Sequence, residues 1–419
     1  MSEEHRIERV LVCARSTLVP RLLAHYAEEG IEAVVGFSEA DVEAPWVEEA
    51  DFAAYLNGRT AEESYLHAER VVSAAMDAGC DAIHPGASSI AESVELYHLA
   101  NNANVAVITG DPMVIARAAD RSFQRGIAES RGARLLPASP PLGSDDDGLE
   151  AAMPLGLPLD LCTAHGMRLA RVHDLSALPT AMAAQRERAK QLAGTSDLVL
   201  RPPRPTSATP RTTLVVAERV GRVVPLGTTT ATLWSPDGHV WVEELGPDGD
   251  EADGALGRQG EEIVRGLRWV GVCAVRWRIW DEEPYFVEVS TRLPTDFGLY
   301  EAVHGMELLG PQLELLRGKP LGWGRNNGQP TRWGAQARIT HALRGGATAT
   351  VEALEVPEGA VVGIGVGQTL SVDTHPVLAV LTAVGADRDA ARAALAQQLA
   401  AVRIEGVDTN LPALREHLA

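Results

Sequence analysis

The sequence predicts an α/β protein in several parts, and three observations carry that reading. Short apolar runs alternate with helically spaced apolar residues over roughly the first 115 positions. Two stretches rich in proline and small polar residues, 137–149 and 201–210, interrupt the middle of the chain. From about residue 212 the pattern turns to β-branched and alternating segments. The 419 residues exceed one ordinary domain of ~100–150 residues and suit two or three sub-domains. With 45% apolar and 22% charged residues, the chain can fill a core.

Residues 8–14, with Val10-Leu11-Val12-Cys13-Ala14, read as a buried strand of a parallel sheet. Leu18, Leu22, Leu23 and Tyr26 take helical spacing over 17–29, and 33–37 is a second apolar run. The alternation continues through 71–78, 82–83, 94–99 and 105–108, which implies an open sheet with crossover helices. No Gly-x-Gly-x-x-Gly comes after the first strand, so the dinucleotide fingerprint is missing. Asp145-Asp146-Asp147 reads as part of a solvated loop. Pro202, Pro203, Pro205 and Pro210 should break regular structure and make a stiff connector, and the segment between the two polar stretches has weak signals of either kind. Residues 212–217, 222–226, 229–233 and 240–244 read as strands, with turns at Asp237-Gly238 and Asp248-Gly249. A helix fits 260–267, strands fit 272–280 and 284–290, and a helix fits 299–316. Strands dominate after Pro330 until a helix at 388–401, and no repeat of fixed period is present.

Lys and Arg total 37 against 57 Asp and Glu, a net charge of −20. Such a surface repels phosphate backbones and anionic lipid, which weighs against nucleic-acid and membrane binding. No stretch approaches ~18 uninterrupted apolar residues, so no membrane-spanning helix is expected. The acidic start, Met1-Ser2-Glu3-Glu4, lacks the apolar core of a secretory signal. Cys13, Cys80, Cys162 and Cys273 lie far apart without a Cys-x-x-Cys pair, which argues against a zinc knuckle or disulfide framework and fits a reducing cytoplasm. The abundance of Ala, Arg and Gly fits a GC-rich bacterial genome.

Six segments carry a further signal. They are Ser64-Tyr65-Leu66, Ala82-Ile83-His84-Pro85-Gly86, Ala119-Asp120-Arg121, Tyr285-Phe286-Val287-Glu288-Val289-Ser290-Thr291-Arg292, Arg338 in a strand, and Gly406-Val407-Asp408-Thr409-Asn410. In this order and spacing, across residues 8–418, the chain resembles the biotin carboxylase family of the ATP-grasp superfamily. The resemblance implies a three-part α/β fold: an N-terminal Rossmann-like pre-ATP-grasp domain (1–115), an ATP-grasp domain (116–325) with a reduced lid at about 133–200, and a β-rich C-terminal domain (326–419). It implies a dimer through the first and last domains. It also implies a chemistry in which ATP and bicarbonate give carboxyphosphate, which carboxylates biotin on a carrier.

That chemistry makes demands on the residues. Polyphosphate needs cations and backbone N–H groups, metal ions need carboxylates, and bicarbonate needs an arginine fork and a base. The family's first phosphate lysine corresponds to Arg121, which also fits a surface helix arginine; its second corresponds to Cys162, a position that suits a buried structural cysteine. The glycine run of the lid is reduced to Gly166-Met167 after His165, and the adenine hinge becomes Arg201-Pro202-Pro203. One metal carboxylate is replaced by Arg276. The other, Glu288, remains and is expected to pair with Arg276 instead of a metal, while Ser290 stands for the assisting Asn. The carboxylation end keeps Arg292 and Arg338, with Asp296 for the base, Pro294 for a Gln and Val240 for a lysine. Ala87-Ser88-Ser89 replaces the biotin-facing loop, and His84 reads as structural.

The leading expectation is a degenerate biotin carboxylase, a pseudoenzyme that pairs with an active homologue or organises an acyl-CoA carboxylase assembly with its carrier and carboxyltransferase subunits. Two alternatives remain open. One is an active carboxylase using ATP and Mg with a modified site; the other is an anion or nucleotide sensor in the same cleft.

Overall fold

The computed structural model describes residues 7–109, 112–164, 168–193, 195–203, 205, 207–219, 221–235, 238–247, 251–295, 297–316, 319 and 330–419. Strands β1 (Arg9–Val12), β2 (Glu32–Phe37), β3 (Phe52–Tyr55), β4 (Ala82–His84) and β5 (Ala106–Val107) form a parallel sheet in the order β3-β2-β1-β4-β5. β1 is apolar on both faces because both are covered. Leu11 and Cys13 pack with Val71, Val72 and Leu96 of the helices Ala68–Asp77 and Val94–Asn102. Val10 and Val12 pack with Leu22 and Tyr26 of helix Leu18–Glu28, and with Tyr300 and Leu313 from much later in the chain. The first sheet is therefore fused to the second part of the molecule by a shared core.

β6 (Arg134–Leu135) pairs in parallel with a later strand. A small antiparallel sheet comes next, β7 (Leu159–Thr163), β8 (Arg168–Val172) and β9 (Leu198–Arg201), in the order β8-β7-β9. It has its own core, in which Leu159, Leu161 and Leu200 meet Leu178 and Met182 of helix Leu178–Ala193. That helix gave a weak signal because its buried stripe is narrow and the rest of its surface is Ala, Gln, Arg and Lys. Asp146 and Asp147 belong to helix Asp146–Ala152, where a loop was expected. Acidic residues favour a helix N-terminus, and Asp145 is held by Arg186 at 2.7 Å.

β10 (Thr209–Ala217), β11 (Val223–Trp234), β12 (Val240–Leu245), β13 (Gly271–Trp280), β14 (Glu283–Ser290) and β15 (Trp333–Thr340) make the main sheet. Of the later strands β16 (Thr348–Thr350), β17 (Ala353–Glu355), β18 (Val361–Val362), β19 (Thr369–Ser371), β20 (Val377–Gly385) and β21 (Arg403–Glu405), β18 and β20 join it. The order is β18-β20-β15-β12-β11-β10-β13-β14-β6. Pairing of β12 with β15, with Glu243 opposite Gln336, thus carries hydrogen bonds across the division expected at 325/326. The two strands expected at 222–226 and 229–233 are one strand, β11, which passes through Gly227 at φ +106°. The helix expected over 299–316 is two, Phe297–His304 and Leu309–Leu316, because Gly305 at φ +65° caps the first. Pro210 lies inside β10, next to its start, so the proline connector is shorter than expected. The expected turns at Asp237-Gly238 and Asp248-Gly249 fall partly or wholly outside the described residues. No helix among the described residues is long and apolar enough to cross a membrane.

Candidate functional site

A cleft of about 2210 Å³ lies between the first sheet, the small sheet and the main sheet. Arg121, Arg276, Glu288, Arg292 and Arg338 all line it. Residues far apart in the chain thus converge on one cleft. Asp296, His165 and Gly166 lie outside the described residues.

Arg121 opens the helix Arg121–Ser130, which Asp120 caps by accepting the N–H groups of Ser122 and Phe123. Buried Gln124 clamps that helix to β14. Its amide donates to the Val289 carbonyl at 2.8 Å, and its carbonyl accepts the Val289 N–H at 2.8 Å. Arg121 thereby reaches Glu288, with Nη2 2.9 Å from Oε2. From β13, Arg276 stands opposite Glu288 in register, with Nη1 3.2 Å from Oε1. A bulge beside Arg276 admits Val287 as the extra residue of β14 and aims Glu288 at this pair. The expected Arg276–Glu288 ion pair is therefore present, and Arg121 shares the same carboxylate.

Arg278 stands two residues on and faces the same cleft. Burial and the neighbouring Arg276 and Arg201 hold it below the ordinary arginine value, and Glu288 offsets part of this. Arg201, at the end of β9, is half-buried, and its charge acts on Arg278. Cys162 is buried within β7, so its side chain belongs to the strand's packing while Thr163 and Ala164 face the cleft. Ser290 Oγ and Arg121 Nε are buried without a hydrogen-bond partner among the described residues.

The other two arginines have glutamates of their own. Arg292 Nε is 3.5 Å from Glu92 Oε2, and Glu92 Oε1 also accepts the Thr291 N–H at 3.1 Å. Arg338 is buried against Glu243 and donates to the Val240 carbonyl and Gln336 Oε1, each at 3.1 Å. Asn410 of the Thr409-Asn410 motif clamps β15 on both sides of Arg338. It donates to the Arg338 carbonyl at 3.0 Å and accepts the Thr340 N–H at 2.8 Å. His84 is buried, accepts the Gly86 N–H at Nδ1, and meets Gln312 at 3.3 Å; burial pushes it down to about 4. That geometry is a structural one.

Sequence reasoning passed over Arg278, Glu92, Glu243 and Gln124. Only Arg278 had a readable signal, since alternation in a strand puts 276 and 278 on one face. The glutamates and Gln124 are long-range partners.

Metal ions need carboxylate oxygens, and both oxygens of Glu288 face guanidinium groups. Among the described residues no group of three or more His, Cys, Asp or Glu comes together that could hold a metal ion. The donor set does not fit the metal pair that the family's chemistry uses.

Comparison with known proteins places this architecture. Residues 6–115 match the family model for the biotin carboxylase N-terminal domain. The chain is 25% identical to biotin carboxylase 2 of Bacillus subtilis, over 97% of this chain and 94% of that one. It is 28% identical to the mitochondrial methylcrotonoyl-CoA carboxylase subunit alpha of Oryza sativa, covering 98% of this chain but 58% of that one. The biotin carboxylase of Campylobacter jejuni superposes with a TM-score of 0.85 at 19% identity, covering 99% and 95% of the two chains. The biotin carboxylase domain dimer of Hydrogenobacter thermophilus 2-oxoglutarate carboxylase, solved with MgADP, ADP and bicarbonate, superposes at 0.87 with 21% identity, covering 99% and 94%. The fold is the α/β fold of the biotin carboxylases. Within that fold, residues 6–115 match the biotin carboxylase N-terminal domain, and the whole chain is similar to biotin carboxylases over nearly its full length.

Proposed function

We propose that the chain is a catalytically impaired biotin carboxylase homologue that serves as a structural or regulatory subunit of an acyl-CoA carboxylase assembly. The observation that carries this reading is Glu288 held between Arg121 and Arg276, where ATP-dependent carboxylation needs metal ions. A cation at position 276 reverses the charge that would hold a metal ion. Groups of this kind are each worth about 2–4 kcal/mol of barrier, and the second phosphate lysine is replaced by the buried Cys162. Its partners on this reading are a biotin carboxylase-type subunit, in a homo- or heterodimer, and the carrier and carboxyltransferase subunits, in the cytoplasm. The relatives' longer chains and the Hydrogenobacter dimer support such an assembly.

Purified protein given Mg·ATP, bicarbonate and free biotin should release no bicarbonate-dependent phosphate. Carboxybiotin formation would overturn the reading. Purification from the native source should bring a carboxylase subunit with it, and recovery as a free monomer would remove the subunit role. A second reading, an active carboxylase with a modified site, has one observation in its favour: Arg292 and Arg338 share the cleft with Arg121 and Glu288. Asp296 would be its base, and the same assay decides it.

A further inference from the structure

The hairpin that joins β13 to β14 closes on two residues, Asp281 and Glu282, with Trp280 opposite Glu283 at its base. Both loop residues lie at positive φ, 49° and 62°. That is the pattern of a type I′ turn, for which Asn-Gly or Asp-Gly is the relaxed choice. Among the described residues this is the one place where two adjacent non-glycine residues share that conformation. Glu282 thus holds a strained backbone where glycine would be free, and strain of this kind collects at functional sites. Trp280 is 37% exposed, whereas the other described tryptophans are half-buried or buried. Its ring meets that of Tyr285 with 6.0 Å between centroids, tilted by 41°. Asp281 and Glu282 are exposed and in no ion pair among the described residues, while Glu283 is held by Arg134 at 3.1 Å. Arginines are set over Phe52, Tyr65 and Phe297, but none over Trp280 or Tyr285 among the described residues. Arg278, opposite Tyr285 in register, lines the cleft instead.

We propose that this hairpin tip is a docking point for a partner protein that presents arginine side chains on a basic surface. A guanidinium group is planar and weakly hydrated, so it stacks on an aromatic face, best on Trp, while its N–H groups reach carboxylates. Trp280 and Tyr285 supply the face, and Asp281 and Glu282 supply acceptors beside it. Trp, Tyr and Arg are also the residue types that dominate the energetics of protein interfaces. Charge selects such a partner over a second copy of this chain, since a net charge of −20 is not drawn to an acidic tip, whereas a basic surface is steered toward it. None of these four residues lines the cleft. The inference therefore goes beyond the proposed function and does not depend on whether the cleft turns over ATP.

The test is calorimetric titration of the full chain, at low salt, with a capped peptide of alternating Gly and Arg and with its lysine counterpart. The arginine peptide should bind with a Kd below about 1 mM, and the lysine peptide about fivefold more weakly, because an ammonium group does not stack. Trp280→Ala should weaken arginine-peptide binding about fivefold or more. Glu282→Gly should weaken it as well while raising Tm, since glycine relaxes the turn, so the loss cannot be put down to unfolding. Glu358→Gln removes one exposed carboxylate from the loop between β17 and β18 and should leave binding unchanged. No binding of the arginine peptide would overturn the inference. So would equal binding of the two peptides, or variants at 280 and 282 that both bind as the wild type does, since attraction would then come from net charge alone.

Discussion

The two ends of the cleft both set arginine against glutamate, but they share the charge differently. At one end Arg338 is 6% exposed and Glu243 4%, and carbonyl and amide oxygens complete the guanidinium's contacts. At the other end Glu288 divides its oxygens between two arginines, and the side chain of Arg276 is 43% exposed. The first is a sealed pair, whose main energetic meaning is that neither charge can be left alone. The second is open, so solvent screens it. Similar residue types thus make a structural element at one end and a screened, exposed contact at the other.

The sharpest way to break this comparison is Glu243→Ala, which leaves Arg338 buried and unpaired. It should destabilise the fold by about 3–5 kcal/mol in chemical denaturation, whereas Glu243→Gln, which keeps an acceptor, should lose less. Acid comes next, because His84 and His375 are buried and each is pushed down to about 4. The unfolded chain binds these protons first, so their stabilisation is complete above the ordinary histidine value and declines as pH falls from about 6.5 toward 4. By pH 5 each should have lost about 2 kcal/mol, visible as a falling Tm that His84→Gln partly flattens. Gln124→Ala removes the clamp between helix Arg121–Ser130 and β14 and should lose about 2 kcal/mol in chemical denaturation. The smallest effect is Arg276→Glu, about 1 kcal/mol in EDTA, from an exposed ion pair replaced by like charges across two strands. Millimolar Mg²⁺ should restore this variant's Tm and leave the wild type's unchanged. A wild-type Tm that rises with Mg²⁺ would contradict the account of the open end.

Much of the fold was readable because burial imposes a period. β1, β4, β13 and β14 are apolar or alternating runs of strand length, and helix Arg388–Ala401 lies where its pattern placed it. Helices Asp146–Ala152 and Leu178–Ala193 were not readable, since they bury narrow stripes against a small sheet. The break at Gly305 needed a left-handed glycine inside an apolar stretch, which composition does not announce. At the site, Arg276, Glu288, Arg292 and Arg338 were legible through the motifs around them. Glu92, Glu243 and Gln124 were not, because each meets a partner far away in the chain through a pairing that no local pattern encodes.

The amino-acid order alone determined which groups are present: arginine at 276, cysteine at 162, one carboxylate at 288 and a net charge of −20. Those facts are local chemistry and need no coordinates. Tertiary structure decided how the charges are divided: Glu243 with Arg338, Glu92 beside Arg292, and Glu288 shared by Arg121 and Arg276 in a cleft that Arg278 also lines. The physical reason is that an ion pair's worth depends on distance, burial and the number of partners competing for one carboxylate, and all three are set by which strands meet.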